Sequence, residues 1–285
     1  MKIVIVGLGN IGGSFALAIK ESGLNHEVYA IDKDIETLRT AEEQNLIIQG
    51  FESPSEIIPK ADFIIFSVYP LILEDVVRSY IPYLSDGTII TDVTGVKRNI
   101  IGSIEPLLPE NVDFIFSHPM AGRENSGLAF ASAKVFQGAN YLITPTPRNK
   151  TENVQFLSQF VKDIGFRNIS EITPEFHDEI IGFTSQLTHT IAISLINSDL
   201  VERNTKQYTG DSYRDLTRIA NINEKLWPEL FIMNKDYLVE HIDNFKHQLD
   251  KLSTAIKDED VKTMEEMMVE SKVRYHDLHS LDMKE

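Results

Sequence analysis

Ile3-Val4-Ile5-Val6-Gly7-Leu8-Gly9-Asn10-Ile11-Gly12 is a run of four β-favouring apolar residues followed at once by a G-x-G-x-x-G pattern. Four such residues in a row predict a strand buried on both faces, as in a parallel sheet. Phe15, Ala16, Leu17, Ile19 and Lys20 then predict a helix that ends near Gly23, and residues 27–31 return to a strand closed by Asp32. The glycine pattern alone is a weak signal; between a strand and a helix of a βαβ unit it becomes specific for a dinucleotide. Gly7 permits the tight turn, Gly9 lets the backbone approach a pyrophosphate, and Gly12 allows close packing of helix on strand. The helix N-terminus adds free amides and a positive dipole end. Asp32 follows Gly12 by about 20 residues, where a carboxylate accepts hydrogen bonds from an adenosine ribose and repels a 2′-phosphate. The cofactor expected from this chemistry is NAD, with Lys33 softening the preference. Gly7, Leu8, Gly9, Asn10, Ile11, Gly12 and Asp32 form the expected site.

Working outward, the alternation continues: a helix over residues 36–44, a strand over 63–68, a helix over 73–80, and strands over 88–93, 114–117 and 141–144. Alternating strands and helices imply an α/β doubly wound parallel sheet of Rossmann type, in which ligands lie beyond the carboxyl ends of the strands. Ser67-Val68-Tyr69-Pro70, Asp92-Val93-Thr94-Gly95 and His118 occupy such ends. Ser67 and Val68 are expected to border the cofactor, and His118 to face the crevice that would hold the nicotinamide. A histidine at a strand end is often merely structural, so its role depends on what converges around it.

Composition narrows the function classes. The chain has 285 residues, no cysteine and a formal net charge of −16. The length suggests two domains. Lack of cysteine removes disulfides, thiolate metal sites and thiol nucleophiles, and suits a reducing cytoplasm. No metal site is expected. The acidic balance argues against nucleic-acid and anionic-membrane partners, which require a basic surface. An anionic substrate would need a few local cations. The longest apolar stretch, residues 63–73, is interrupted by Pro70 and is too short for a membrane span. Glycines break the N-terminal apolar run before a signal peptide could form.

Thr144-Pro145-Thr146-Pro147-Arg148-Asn149-Lys150 is proline-rich and polar, and places the expected domain boundary between residues 147 and 148. Val154, Leu157, Phe160, Val161 and Ile164 keep helical spacing up to Gly165, a short strand is possible over residues 168–172, and Thr173-Pro174-Glu175 is a capped helix start. Beyond it an all-α C-terminal domain is expected for substrate binding and dimerisation. In it Leu238, Ile242, Phe245, Leu249, Leu252 and Ile256 recur in steps of four and three. Such a seam belongs either to a long core helix or to the interface of a homodimer.

Four motifs, taken together and in order, resemble the prephenate/arogenate dehydrogenase family: Gly7 to Gly12 with Asp32, Thr91-Asp92-Val93-Thr94-Gly95-Val96-Lys97, His118-Pro119-Met120-Ala121-Gly122, and Tyr213-Arg214-Asp215-Leu216-Thr217-Arg218-Ile219-Ala220. The first is shared by many oxidoreductases; the last two are specific in combination. The resemblance implies an NAD-dependent oxidative decarboxylation in tyrosine biosynthesis. Hydride leaves the ring carbon that bears a hydroxyl, carbon dioxide is lost, and aromatisation drives the reaction. It implies His118 as the base for that hydroxyl, Arg218 as the arginine that binds a substrate carboxylate, and His189 as a second histidine facing the substrate. Arg214 is a further substrate candidate, with a solvated helix face as its alternative. Glu124 resembles an acid at the pocket entrance that either pairs with an arginine or is solvated.

The chain departs from the family at two positions. Gln186 stands where a histidine is common, and Gly95 stands where many members have a serine that positions the catalytic histidine. Thr94, one residue earlier, is the candidate to replace that serine, with a water as the alternative. Some relatives carry an appended regulatory domain or a chorismate mutase segment; from its length, neither is expected in this chain. A β-hydroxyacid dehydrogenase of similar plan would depend on a lysine from the helical domain, and a non-catalytic dinucleotide sensor would not need His118 and Arg218 together.

Overall fold

The structure, a computed structural model, describes residues 1–122 and 125–279. Two compact units are present, the first running to Lys235 and the second beginning at Asp236.

The first unit is built on one eight-stranded sheet: β1 (Lys2–Val6), β2 (Glu27–Ile31), β3 (Gln49–Phe51), β4 (Phe63–Phe66), β5 (Ile89–Asp92), β6 (Asp113–Met120), β7 (Asn140–Thr144) and β8 (Asn168–Glu171). Its order is β3-β2-β1-β4-β5-β6-β7-β8. The first six strands are parallel, β7 is antiparallel to β6, and β8 is parallel to β7. The strand order reverses between β1 and β4, which opens a crevice at their carboxyl ends. The helices are α1 (Asn10–Glu21), α2 (Ile35–Glu43), α3 (Pro70–Tyr80), α4 (Arg98–Ile104), α5 (Thr151–Asp163), α6 (Pro174–Ile181), α7 (Thr188–Asn197), α8 (Asp211–Thr217) and α9 (Leu226–Met233).

Alternation along each strand divides the core between the two faces. Ile3, Ile5, Phe63 and Ile65 join Phe15 of α1 and Val154, Leu157 and Phe160 of α5 on one face. Val4, Val6, Ile64 and Phe66 join Leu73 and Val77 of α3 and Ile100 and Ile104 of α4 on the other. Strands covered on both sides read as unbroken apolar runs, which is why β1 and β4 were legible. Phe63 meets the edges of Phe156 and Phe160, with ring centres 5.4 and 5.2 Å apart.

Three expectations change. β6 does not stop at Ser117; it runs through His118 to Met120 because β7 continues to pair with it after β5 has ended at the level of Ile115. β7 itself breaks the parallel pattern. The sheet also extends past the 147/148 boundary, since α5 packs on the core and β8 is the last strand. Proline and polar residues there mark a turn that lets the chain re-enter the same sheet.

The second unit contains most of α10 (Lys235–Lys257) and all of α11 (Val261–His279). The expected seam lies on α10. Leu238 and Ala255 are buried, whereas Phe245, Leu249 and Ile256 are exposed.

Candidate functional site

One cavity of about 900 Å³ lies within the first unit, walled on one side by strand ends and on the other by the start of α7, by α9, and by the turns that precede them. Gly9, Asn10, Ile11, Ser67 and Val68 line it, as do Gly95, His118, His189 and Arg218. The glycine-rich turn is shaped by contacts that exclude side chains. Gly7 has φ +92° and a Cβ there would strike the Ser67 carbonyl; a Cβ on Gly12 would strike the Gly7 carbonyl. A Cβ on Gly9 would meet nothing within 4 Å. Asp32 Oδ2 accepts from the Leu8 amide at 2.7 Å and Oδ1 from the Asp34 amide at 2.9 Å, so the carboxylate at the end of β2 also pins the turn after β1. Asn10, the first residue of α1, donates through Nδ2 to the Asn125 carbonyl at 2.8 Å. Its Oδ1 is buried without a hydrogen-bond partner. An open backbone over Gly9 and the N-terminus of α1 on one cavity wall fit the phosphates of a dinucleotide.

His118 is carried by the part of β6 that outruns β5, which places it beyond the end of the parallel sheet. The Cε1 and Nε2 edge of its ring faces Gly95, each atom 3.6 Å from where a Cβ on that glycine would lie. Its Nδ1 lies 3.0 Å from Nε2 of His177, and His177 Nδ1 lies 2.8 Å from Asp178 Oδ1. Burial, then the proximity of His177 and Lys97, holds the His118 pKa well below the ordinary histidine value. Burial also lowers that of His177, against the opposing effect of Asp178. For Asp178, burial acts upward, but hydrogen bonds from His177 and from the Arg98 and Lys97 amides outweigh it and leave the carboxyl below its usual range.

The sequence reading missed His177 and Asp178. Both belong to the first turns of α6, whose start is fixed by Thr173, which caps the Phe176 amide at 3.2 Å, and by Pro174. A His-Asp pair directly after a strong helix start was the available signal, but nothing local tells that the helix docks against β6. Lys97 was also passed over as a working residue. It is buried with Asp92, Nζ to Oδ2 2.7 Å.

Between α6 and α7 the chain makes a π-helical turn, Gly182–Leu187. Such turns shift backbone groups out of helical register. The Ser185 carbonyl accepts from Nδ1 of His189 at 2.8 Å, and the His189 ring lies on Trp227 with centres 3.8 Å apart. Because a carbonyl only accepts, His189 Nδ1 carries a proton. Buried Gln186 bonds the Leu230 carbonyl at 3.2 Å and Asn234 at 2.9 Å, a structural role for the residue that stands in place of a histidine. Arg218 follows α8 and lines the cavity.

Of the other expected residues, one is engaged elsewhere at the cavity edge and one lies off the cavity wall. Thr94 borders the cavity, but its hydroxyl bonds Asp92 and accepts from Lys97 Nζ at 2.9 Å, so it serves the buried ion pair rather than His118. Arg214 is not on the cavity wall: it pairs with Asp211 at 3.1 Å and its side chain is 64% exposed, whereas Arg218, in the turn after α8, lines the cavity. Glu124 lies outside the described residues.

Comparison with known proteins accords with this geometry. Residues 15–170 fit the sequence profile of the prephenate dehydrogenase nucleotide-binding domain, and residues 173–270 that of the prephenate dehydrogenase dimerization domain. The chain belongs to the prephenate dehydrogenase family. Among family members, the prephenate dehydrogenase of Bacillus subtilis strain 168 is 29% identical over 92% of this chain and 72% of its own length. The cyclohexadienyl dehydrogenase of Zymomonas mobilis is 30% identical, over 90% of this chain and 89% of its own. The crystal structure of prephenate dehydrogenase from Aquifex aeolicus in complex with hydroxyphenyl propionate and NAD+ superposes with a TM-score of 0.88 at 26% identity, covering 98% of both chains. Synechocystis arogenate dehydrogenase gives 0.82 at 25% identity, covering 98% of this chain and 100% of that one. The family profiles meet between residues 170 and 173, just after β8.

Proposed function

We propose that this chain is an NAD-dependent dehydrogenase that oxidatively decarboxylates prephenate to 4-hydroxyphenylpyruvate, in the cytoplasm and in the service of tyrosine biosynthesis. The observation that carries this is the placement of His118 on the wall of a cavity bordered at one end by the glycine-rich turn and at the other by Arg218. Gly7, Leu8, Gly9, Asn10, Ile11, Gly12 and Asp32, with Ser67 and Val68 at the end of β4, are the residues that would hold NAD. When bound, NAD supplies the hydride acceptor.

The protein's own contribution is orientation and proton transfer. Arg218 binds a substrate carboxylate through its planar fork, which suits bidentate pairing. His189 and Trp227 form the opposing wall. His118, neutral because burial opposes its protonation, accepts the proton of the ring hydroxyl as the carbon beneath it is oxidised. Carbon dioxide departs and the ring becomes aromatic, so the protein has to supply little beyond geometry and a base.

A second reading is arogenate in place of prephenate, supported by the likeness to Synechocystis arogenate dehydrogenase. Mixing the protein with NAD and each substrate in turn, and following reduced cofactor by absorbance, tests both. Reduction with neither would overturn the proposal; a higher efficiency with arogenate would replace prephenate as the substrate.

The two family profiles support a nucleotide-binding part and a helical part that divide between residues 170 and 173, ahead of the compact-unit division at Lys235. We propose a homodimer formed through the helical region, supported by the dimerization-domain profile and by the exposed apolar residues on α10 and α11. The charge of −16 supports neither nucleic acid nor an anionic membrane as a partner. Among the described residues no helix is long and apolar enough to cross a membrane.

A further inference from the structure

Asp178 does not line the cavity, and it is only 1% exposed. Its carboxylate is held by the first amides of α4, with Lys97 N at 2.7 Å from Oδ1 and Arg98 N at 2.9 Å from Oδ2. Arg98 Nε adds a contact at 3.2 Å to Oδ2. An ionised carboxylate so placed has acceptors and no hydrogen to give. The 2.8 Å contact with His177 Nδ1 therefore requires the proton on that nitrogen. A neutral imidazole carries one ring proton, so His177 Nε2 is bare and must accept. The hydrogen in the 3.0 Å contact then belongs to His118 Nδ1, and the lone pair of His118 is left on Nε2. That nitrogen lies on the edge facing Gly95 and the cavity.

We propose that Asp178, acting through His177, sets the tautomer of His118, so that its basic nitrogen is the one presented to the substrate hydroxyl. Asp178 and His177 are positioning residues; neither touches the reacting atoms. The inference rests on the reading of His118 as the base. It explains why three groups from β6 and α6 are aligned. Buried His177 remains neutral, which keeps the proton count of the chain at one per ring. The neighbouring charges are matched: Lys97 with Asp92, and Arg98 with Asp178. A proton taken up at His118 Nε2 is then the only added charge, and the carboxylate at the far end of the chain stabilises it through two hydrogen bonds.

The test begins with the unmodified protein, histidine-labelled with nitrogen-15, without substrate or cofactor. The His118 ring signals, assigned by their loss in His118→Asn, should show a protonated Nδ1 and a bare Nε2 at neutral pH. A protonated Nε2 with a bare Nδ1 would overturn the proposal. This measurement needs no turnover, so it stands apart from whether prephenate is the substrate. In Asp178→Asn the carboxamide can direct a hydrogen toward His177 Nδ1, reversing both rings. Its His118 signals should switch to protonated Nε2, and kcat should fall by about 10²-fold or more with KM for prephenate little changed, as expected when a base is held in the wrong tautomer. A folded Asp178→Asn that keeps a bare Nε2 and normal kcat would also sink the idea. Should that variant not fold, the spectrum of the unmodified protein decides.

Discussion

Lys97 Nζ lies 2.7 Å from Asp92 Oδ2, and neither side chain is exposed to solvent. The pair sits behind His118: Asp92 Oδ1 also accepts from the Ser117 amide at 3.1 Å, so one carboxylate ties the end of β5 to the strand that carries the histidine. Removing one partner of a buried pair leaves the other charge unmatched, which costs about 3–5 kcal/mol. Lys97→Met should therefore lower the urea midpoint strongly, with little change in the slope of the transition. A shift no larger than that of a surface lysine variant would show that the pair is not a structural clamp.

His118→Asn should keep the fold and much of the substrate affinity while lowering kcat by about 10²–10⁴, the usual contribution of a positioned base. The sign of its pH dependence follows from its lowered pKa. Neutral His118 is the active form, so activity is lost as pH falls through that value. The acidic limb of the wild-type profile should lie below the ordinary histidine value of 6.5 and vanish in the variant. Near-normal turnover with an unchanged limb would assign the base elsewhere.

Arg218→Ala should raise KM for prephenate. Loss of one partner of a hydrogen-bonded charge pair costs roughly 2–5 kcal/mol, or about 30-fold or more in affinity. NAD affinity should change little, and turnover should fall less than in His118→Asn. Arg214→Ala, whose partner is the exposed Asp211, is the control expected to leave the kinetics unchanged. Equal damage from the two would mean that the anion anchor has been misassigned.

Asp32→Ala removes the carboxylate that would face the ribose and the acceptor of the Leu8 amide. KM for NAD should rise and the preference for NAD over NADP should narrow. The measurement is kcat/KM for each cofactor. A wild-type protein that works better with NADP would contradict the assignment.

In the second unit, Phe245, Leu249 and Ile256 of α10 and Val261, Met268, Val269 and Val273 of α11 are each at least 38% exposed. Apolar area of this kind is usually covered by a partner. Light scattering at micromolar protein should report twice the chain mass. A monomer would leave those residues without a partner of this type.

The sequence alone determined the cofactor half of the molecule, because its signals are local. Four apolar residues before a glycine pattern specify a doubly buried strand, and Gly7 and Gly12 occupy places where no side chain fits. Asp32 closes β2 within the same βαβ unit. His118 and Arg218 were legible through the motifs around them. Tertiary structure decided what depends on residues far apart in the chain. β7 returns antiparallel and lengthens β6, moving His118 from a strand end to the middle of a pair. Thr94 reads as a neighbour of His118, yet its hydroxyl belongs to Asp92 and Lys97. Arg214 and Arg218 look alike in sequence, and only the path of the turn after α8 separates them. His177 meets His118 of β6 across 59 residues of chain, and Asp178 meets Arg98 at the start of α4 across 80. Helix capping specifies where α6 begins, but no local rule specifies which strand that helix will pack against.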